Sequence, residues 1–318
     1  MTRILARCLR RRGRAPRIER VTRADDNRAD SNGMVLLITV APRPMNWMAN
    51  RASILCTALL VGVLPSAFAQ TATPPTWSAP EGIPDGPFGN AVKAGWLIVT
   101  QSPKYAAGYA GSALNCTSCH LDGGRTPNAS PWVGIWGVFP EYRSRNARVN
   151  LLADRINDCF ERSLNGRRLP LDGAEMRNIQ AYMQWISRNV PTGQNGTGRG
   201  FKRIVSPHPA DIANGKRIYA EKCAVCHGTD GQGAYGEHGE TLFPPLWGAR
   251  SFNIGAGMAR LNTAAAFVKS NMPLGQGGTL TDQEAFDVAA YFTQQARPDF
   301  AGKDYDWPQG GKPEDARY

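Results

Sequence analysis

Two short strings, Cys116-Thr-Ser-Cys119-His120 and Cys223-Ala-Val-Cys226-His227, decide how this sequence folds. Each has the spacing C-x-x-C-H, which is the attachment signature of haem c. In that signature the two cysteines form thioethers with the haem vinyl groups, and the histidine becomes the proximal ligand of the iron. A redox dithiol or half of a zinc site would leave the histidine unexplained in both strings. The sequence therefore predicts two covalently bound haems c, attached at Cys116, Cys119, Cys223 and Cys226 and ligated by His120 and His227.

The first 69 residues have the composition of a leader rather than of a folded domain. They contain twelve arginines and four acidic residues, which is +8 of the formal net charge of +11 and leaves +3 for residues 70–318. A basic residue precedes an apolar run that ends in P-S-A-F-A, an A-x-A cleavage site after Ala69. We therefore predict export to the periplasm by a signal peptide, with translation starting at Met45 or Met48. The alternative is a disordered extension ahead of these methionines.

The mature region contains a duplicated unit. Cys116 and Cys223 are 107 residues apart, and an Ala-Tyr pair near the end of each half repeats after 109 residues. Pro131-Trp-Val-Gly134 and Pro245-Leu-Trp-Gly248 lie downstream of the two haem strings. This layout resembles the class I cytochrome c domain, so the predicted fold class is all-α, with two tandem cytochrome c-like domains that each bind one haem c. The predicted boundaries are 70–188 for the first domain, 189–210 for a linker and 211–318 for the second domain.

Apolar periodicity predicts the helices around the two strings. The spacing of Val92, Trp96 and Val99 is typical of one face of a helix. Thr281-Asp-Gln-Glu284 is a capping box, which predicts where the last helix begins. The predicted helices span residues 90–100, 148–164, 172–186, 211–221, 263–270 and 281–295.

Each haem iron also needs a sixth ligand. In the second half the candidate is Met272, which follows a predicted helix and precedes a proline. A methionine ligand is common in cytochromes c, where it raises the reduction potential. Met258 is the competitor, and the alternative for either side chain is core packing.

In the first half no methionine occupies the matching place, and an unpaired cysteine, Cys159, lies on the predicted helix 148–164. Arg155 lies four residues before it and Arg162 three after it, so all three side chains share one helix face. Fixed positive charge favours a thiolate and would attract a small dianion. The alternative is a buried structural cysteine beside surface arginines.

Several stretches of the sequence resemble the dihaem c-type thiosulfate dehydrogenases, which form tetrathionate. The similarity covers about residues 87–297, and its most specific element is Cys-Phe-Glu-Arg-Ser-Leu-Asn-Gly, which begins at Cys159. The stretches that carry the resemblance are residues 115–124, 140–146, 154–166, 251–260 and 271–275.

The resemblance implies that the protein oxidises two thiosulfate ions to tetrathionate and releases two electrons. It implies that His120 and Cys159 ligate a catalytic haem, and that His227 and Met272 ligate an electron-exit haem. The implied catalytic residues are Cys159, Arg145 and Arg155. Some family members have a lysine directly before the methionine and exchange ligands on reduction. Because Asn271 takes that position here, this switch is expected to be absent.

The implied partners are thiosulfate or tetrathionate as the small-molecule substrate, and a soluble or membrane-bound electron-acceptor cytochrome. The same site could work in reverse as a tetrathionate reductase. Nucleic acid is not expected as a partner, because the excess positive charge lies in the leader. No membrane span is expected in the mature protein. The alternative functions are a non-catalytic dihaem electron carrier, a dihaem peroxidase and the cytochrome that loads thiosulfate onto a carrier protein.

Overall fold

The computed structural model describes residues 72–318. The predicted leader, with its cleavage site after Ala69, lies outside the described residues. None of the helices in the described part of the chain is long and apolar enough to cross a membrane.

The described chain is mainly helical, and its two halves repeat one arrangement of helices. The helices of the first half are α1 (Gly86–Thr100), α2 (Ser102–Tyr105), α3 (Leu121–Gly124), α4 (Leu152–Arg162) and α5 (Ala174–Ser187). Those of the second half are α6 (Ile212–Ile218), α7 (Ala224–His227), α8 (Leu261–Asn271) and α9 (Asp282–Thr293). A π-helical turn, Tyr219–Cys223, joins α6 to α7 and carries the chain into the second haem string.

In each half the first long helix crosses the last one at a glycine. A Cβ atom on Gly95 of α1 would lie 2.0 Å from the carbonyl oxygen of Asn178 in α5. A Cβ atom on Gly215 of α6 would lie equally close, at 2.0 Å, to the carbonyl oxygen of Asp287 in α9. Only glycine permits this approach of two backbones. The repeated crossing confirms the predicted helical, duplicated architecture.

The start of the helix that carries Cys159 differs from the prediction. Residues Arg148–Asn150 form strand β2, which pairs antiparallel with strand β1, Glu141–Arg143. Helix α4 begins only at Leu152, because the Asp154 carboxylate accepts the backbone N–H of Leu151 at 2.9 Å and caps the helix there.

A second hairpin, also absent from the all-α prediction, follows the second haem string. It pairs strand β3, Ala234–Tyr235, with strand β4, Thr241–Phe243. The threonine that begins β4 donates its hydroxyl to the carbonyl of Ala113, at 2.5 Å. The hairpin therefore contributes to the contact between the two halves.

Residues 298–318 follow α9 and run back to the first half of the chain. The backbone N–H of Trp307 donates to the carbonyl of Arg145 at 2.6 Å, and the Tyr142 hydroxyl donates to the side-chain carbonyl of Gln309 at 3.3 Å. We call residues 298–318 the C-terminal tail. Although the sequence predicts that the tail belongs to the second domain, its hydrogen bonds reach strand β1 and the loop that follows it in the first half.

Candidate functional site

The two proximal histidines are oriented in the same way. Nδ1 of His120 lies 2.6 Å from the carbonyl oxygen of Ser130, and Nδ1 of His227 lies 2.9 Å from that of Pro244. Each carbonyl belongs to the residue directly before the repeated P-x-x-G stretch, which explains why that stretch recurs. A carbonyl can only accept, so Nδ1 carries the proton and Nε2 is left free to ligate a metal.

A glycine and a tryptophan fill the proximal side of each half. Gly124 and Gly231 lie four residues after the two histidines and have φ of +77° and +69°. A Cβ atom on either would lie 2.1 or 2.3 Å from the ring of Trp132 or Trp247. The sequence analysis missed these glycines, although their identical spacing from the two histidines is a signal that could have found them.

Each proximal histidine lines a different cleft, and Cys119 of the first string lines both clefts. The string around His120 opens on a cleft that Cys159 also lines. The string around His227 opens on a second cleft, which both Met272 and Met258 line. Apolar side chains dominate both walls, as an apolar macrocycle requires.

The chemistry of the donor groups fits haem c better than a dithiol or a zinc site. Burial raises the pKa of the Cys116 and Cys119 thiols to about 12 and that of Cys223 to about 11, whereas redox dithiols have lowered values. Burial also lowers the pKa of His120 to about 4, which keeps the imidazole neutral as a metal ligand must be. Within residues 72–318 no three side chains of the types His, Cys, Asp and Glu assemble as a metal site.

Helix α4 places a guanidinium directly on the unpaired thiol. Nη1 of Arg155 donates to Sγ of Cys159 at 2.7 Å, across one turn of the helix. The electrostatic interaction with Cys159 is the main cause that raises the Arg155 pKa. The adjoining face of α4 is buried in the core through Leu152, Ile156 and Phe160. The helix therefore fixes the thiol and its cation in the wall of the cleft.

Arg162 lines the same cleft as Cys159, but its guanidinium is paired with a carboxylate. Its two Nη atoms donate to the two carboxylate oxygens of Asp306, at 2.8 and 2.9 Å. The side chain of Asp306 is only 2 % exposed, and it comes from the C-terminal tail, 144 residues further along the chain. A bidentate ion pair of this kind is a stronger interaction than a guanidinium–thiol contact.

Arg145 shares the same carboxylate. Its Nε donates to Asp306 at 2.8 Å, its Nη2 donates to the Tyr318 hydroxyl at 3.0 Å, and Trp307 lies against its guanidinium at 4.7 Å. The Tyr318 hydroxyl also donates to Asp306. These tail residues were missed by the sequence analysis, because no local pattern links them to a loop more than 160 residues earlier.

The first cleft is strongly basic. Arginine is the main charged residue of its wall, which contains Arg143, Arg145, Arg155, Arg162, Arg199 and Arg260. A concentration of guanidiniums around a thiol favours a small, multiply charged anion as the ligand of this cleft.

The second cleft leaves two methionines as candidate ligands. Met272 directly follows α8 and donates its backbone N–H to the carbonyl of Val268 at 2.9 Å. Met258 and Met272 both pack against the second core. The side-chain amide of Asn271 donates to the carbonyls of Phe267 and Asn128, at 3.0 and 3.3 Å. The amide nitrogen of Asn271 therefore already donates to two backbone carbonyls.

Two family models match the two halves. The model described as SoxA/TsdA, cytochrome c domain, matches residues 104–192. The model described as Cytochrome c matches residues 212–296. They confirm the predicted fold class of two tandem cytochrome c domains and imply that the chain binds haem c.

Relatives over most of the chain identify the family. The thiosulfate dehydrogenase of Psychrobacter arcticus is 47% identical over 235 residues, which are 74% of this chain and 72% of the relative. That of Allochromatium vinosum is 40% identical over 272 residues, which are 84% of this chain and 97% of the relative. The chain belongs to the thiosulfate dehydrogenase family.

A solved thiosulfate dehydrogenase has a similar fold. The structure of thiosulfate dehydrogenase (TsdBA) from Marichromatium purpuratum, in its as-isolated form, superposes with a TM-score of 0.67 at 40% identity. The match covers 72% of this chain and 50% of that chain, so the present chain spans about half the length of that protein. The resemblance to the thiosulfate dehydrogenase family that the sequence carries is thereby confirmed.

Proposed function

We propose that the protein oxidises two thiosulfate ions to tetrathionate and passes the two released electrons to an external acceptor. The observation that carries the proposal is the 2.7 Å contact between Arg155 and Cys159 in the arginine-lined cleft next to the first haem string. A thiol held beside a cation and facing a cleft has the surroundings of a reactive cysteine. The same cleft can also work in reverse, as a tetrathionate reductase.

The residues of the cleft account for a two-step reaction. The Cys159 thiolate and the sulfane sulfur of one thiosulfate form an S–S bond, with the loss of two electrons, to give a cysteine S-thiosulfonate. The sulfane sulfur of a second thiosulfate then attacks this adduct, tetrathionate forms, and the Cys159 thiolate leaves. Arg155 stabilises the thiolate before and after this cycle, and Arg145 offsets the repulsion between the two dianions.

Two haems c, when bound, supply two one-electron acceptors for this reaction. We assign their attachment to the cysteines of the two strings, Cys116, Cys119, Cys223 and Cys226. We assign His120 and Cys159 as ligands of the first iron, and His227 and Met272 as ligands of the second. The clefts support this assignment, because Cys159 lines the one with His120, and Met272 lines the one with His227.

A non-catalytic dihaem electron carrier is the alternative. It explains both haem strings but leaves no role for the Arg155–Cys159 contact. Thiosulfate-dependent reduction of ferricyanide by the purified holoprotein separates the two functions. We expect one tetrathionate for every two ferricyanide ions reduced, whereas a protein that never reduces ferricyanide with thiosulfate would be a carrier.

We propose that the protein works in the periplasm and delivers its electrons to a soluble or membrane-bound cytochrome. Expression without residues 1–69 is therefore expected to yield little holoprotein, because haem c is attached after export. The yield is measured from haem-stained gels and pyridine haemochrome spectra. Full covalent haem loading and activity in a protein retained in the cytoplasm would contradict this expectation.

We expect Met272→Gly to remove the thioether–iron absorption band near the red end of the visible spectrum and to lower the potential of the second haem. The reason is that a thioether ligand favours the reduced iron. Met258→Leu is the matched control, since Met258 lines the same cleft. If the band disappears in Met258→Leu and persists in Met272→Gly, then Met258 is the ligand.

A further inference from the structure

The arginines of the first cleft fall into two groups. Glu141 pairs with Arg143 at 3.1 Å and with Arg199 at 2.9 Å. Asp306 pairs with Arg145 and with Arg162, both at 2.8 Å. Two carboxylates thus offset four of the six guanidiniums. In the described part of the chain, the other two cleft arginines, Arg155 and Arg260, have no carboxylate within ion-pair distance.

Arg260 is the cleft arginine that comes from the second half of the chain. It lies directly before α8, and its Nη2 donates to the Thr263 hydroxyl at 3.2 Å. Its Nε is buried and has no hydrogen-bond partner among residues 72–318. Burial is the main cause that lowers the Arg260 pKa. A buried guanidinium N–H without an acceptor costs free energy until an anion accepts its hydrogen bond.

Arg155 and Arg260 serve different parts of the cleft. The charged groups near Arg155 are Cys159, Asp158 and Glu141. The titratable groups near Arg260 are Arg145 and two groups of the C-terminal tail, Asp315 and Tyr318. The two guanidiniums without ion-pair partners therefore lie at separate positions in one cleft, the first on the thiol and the second beside the tail.

We propose that Arg260 binds the sulfonate of the second thiosulfate, which is also the far sulfonate of tetrathionate. Tetrathionate carries one sulfonate at each end of its sulfur chain, so a site that makes or cleaves it needs two cation positions. Cys159 and Arg155 occupy the first, and Arg260 supplies the second from the other half of the chain. The inference rests on the proposed function and extends it to the residue that positions the attacking thiosulfate.

The test compares Arg260→Gln with Arg250→Gln. Arg250 is exposed, stacks on Tyr235 at 3.8 Å and does not line the cleft, so it controls for the loss of one positive charge. In Arg260→Gln the KM for thiosulfate is expected to rise by about tenfold to a hundredfold, because a charge-assisted hydrogen bond is lost. The value of kcat and the potentials of both haems, measured by spectroelectrochemistry, are expected to change little. Arg250→Gln is expected to match the wild type in all four quantities.

An unchanged KM in Arg260→Gln would overturn the proposal. So would a shifted haem potential with an unchanged KM, because the guanidinium would then serve a haem propionate. If Arg260→Gln holoprotein does not accumulate, Arg260→Lys decides instead: loss of the forked geometry should raise KM severalfold, and a wild-type KM would contradict the proposal. Cys159→Ser in the same series distinguishes a failure of the Arg260 proposal from a failure of the proposed function. If Cys159→Ser still oxidises thiosulfate, the proposed function itself fails.

Discussion

Cys159→Ser is expected to lose thiosulfate oxidation by at least about a thousandfold while both haems stay attached. The hydroxyl is a far weaker nucleophile than the thiolate, and it cannot form the S-thiosulfonate on which the second thiosulfate acts. The haems should remain because other cysteines form the thioethers, and the fold should remain because serine is close to cysteine in size. The measurement is the rate of thiosulfate-dependent ferricyanide reduction per haem.

Arg155→Ala provides the graded comparison. It removes the cation that lies 2.7 Å from the sulfur but leaves the sulfur itself in place. We therefore expect a weaker apparent affinity for thiosulfate and a slower turnover, both milder than the effect of Cys159→Ser. Wild-type turnover in Cys159→Ser would favour the electron carrier and remove the catalytic role of the thiol.

Asp306→Ala is expected to destabilise the holoprotein by about 3 kcal/mol and to raise the KM for thiosulfate. Its buried carboxylate holds both Arg145 and Arg162, so its removal leaves two partly buried guanidiniums without a counter-charge. It also releases the hydrogen bond from Tyr318, which should loosen the C-terminal tail. Urea unfolding followed by circular dichroism measures the stability, and limited proteolysis measures the release of the tail.

Asp299→Ala is the matched control in the same tail. Asp299 pairs with Lys303 on the surface, where ion pairs contribute little, so its removal should leave the unfolding midpoint nearly unchanged. The unfolding midpoint of Asp306→Asn should lie between those of Asp306→Ala and Asp299→Ala, because the amide retains one hydrogen-bond acceptor. An Asp306→Ala protein as stable as the Asp299→Ala protein would show that the tail does not hold the cleft together.

The parts of this structure that depend on neighbouring residues were predictable from the sequence. The Thr281 hydroxyl accepts the N–H of Glu284 at 3.1 Å, and α9 begins at Asp282, as the capping box indicated. The repeat distance between the halves predicted two similar pairs of helices, which are α1 with α5 and α6 with α9. The P-x-x-G repeat proved to mark the carbonyls that orient the two histidines.

The parts that depend on distant residues were not predictable. The sequence placed Arg162 on the helix face of Cys159, but it did not reveal the carboxylate 144 residues away that pairs with its guanidinium. Helix α4 was predicted to start at Arg148, but residues 148–150 pair with β1 and the helix starts at Leu152. The periodicity of one segment cannot show that it has a strand partner. Arg260 belonged to a stretch that carried the family resemblance, yet its position in the cleft of the other half appears only in the folded chain.

The central claim is that Cys159 bonds covalently to the sulfur of the substrate. Mass spectrometry of the tryptic peptide that spans residues 156–162, after incubation of the holoprotein with tetrathionate, tests it most directly. The account predicts that this peptide gains the mass of one S₂O₃ unit, that dithiothreitol removes it, and that Cys159→Ser never acquires it. An unmodified peptide from a protein that still turns over would contradict the account.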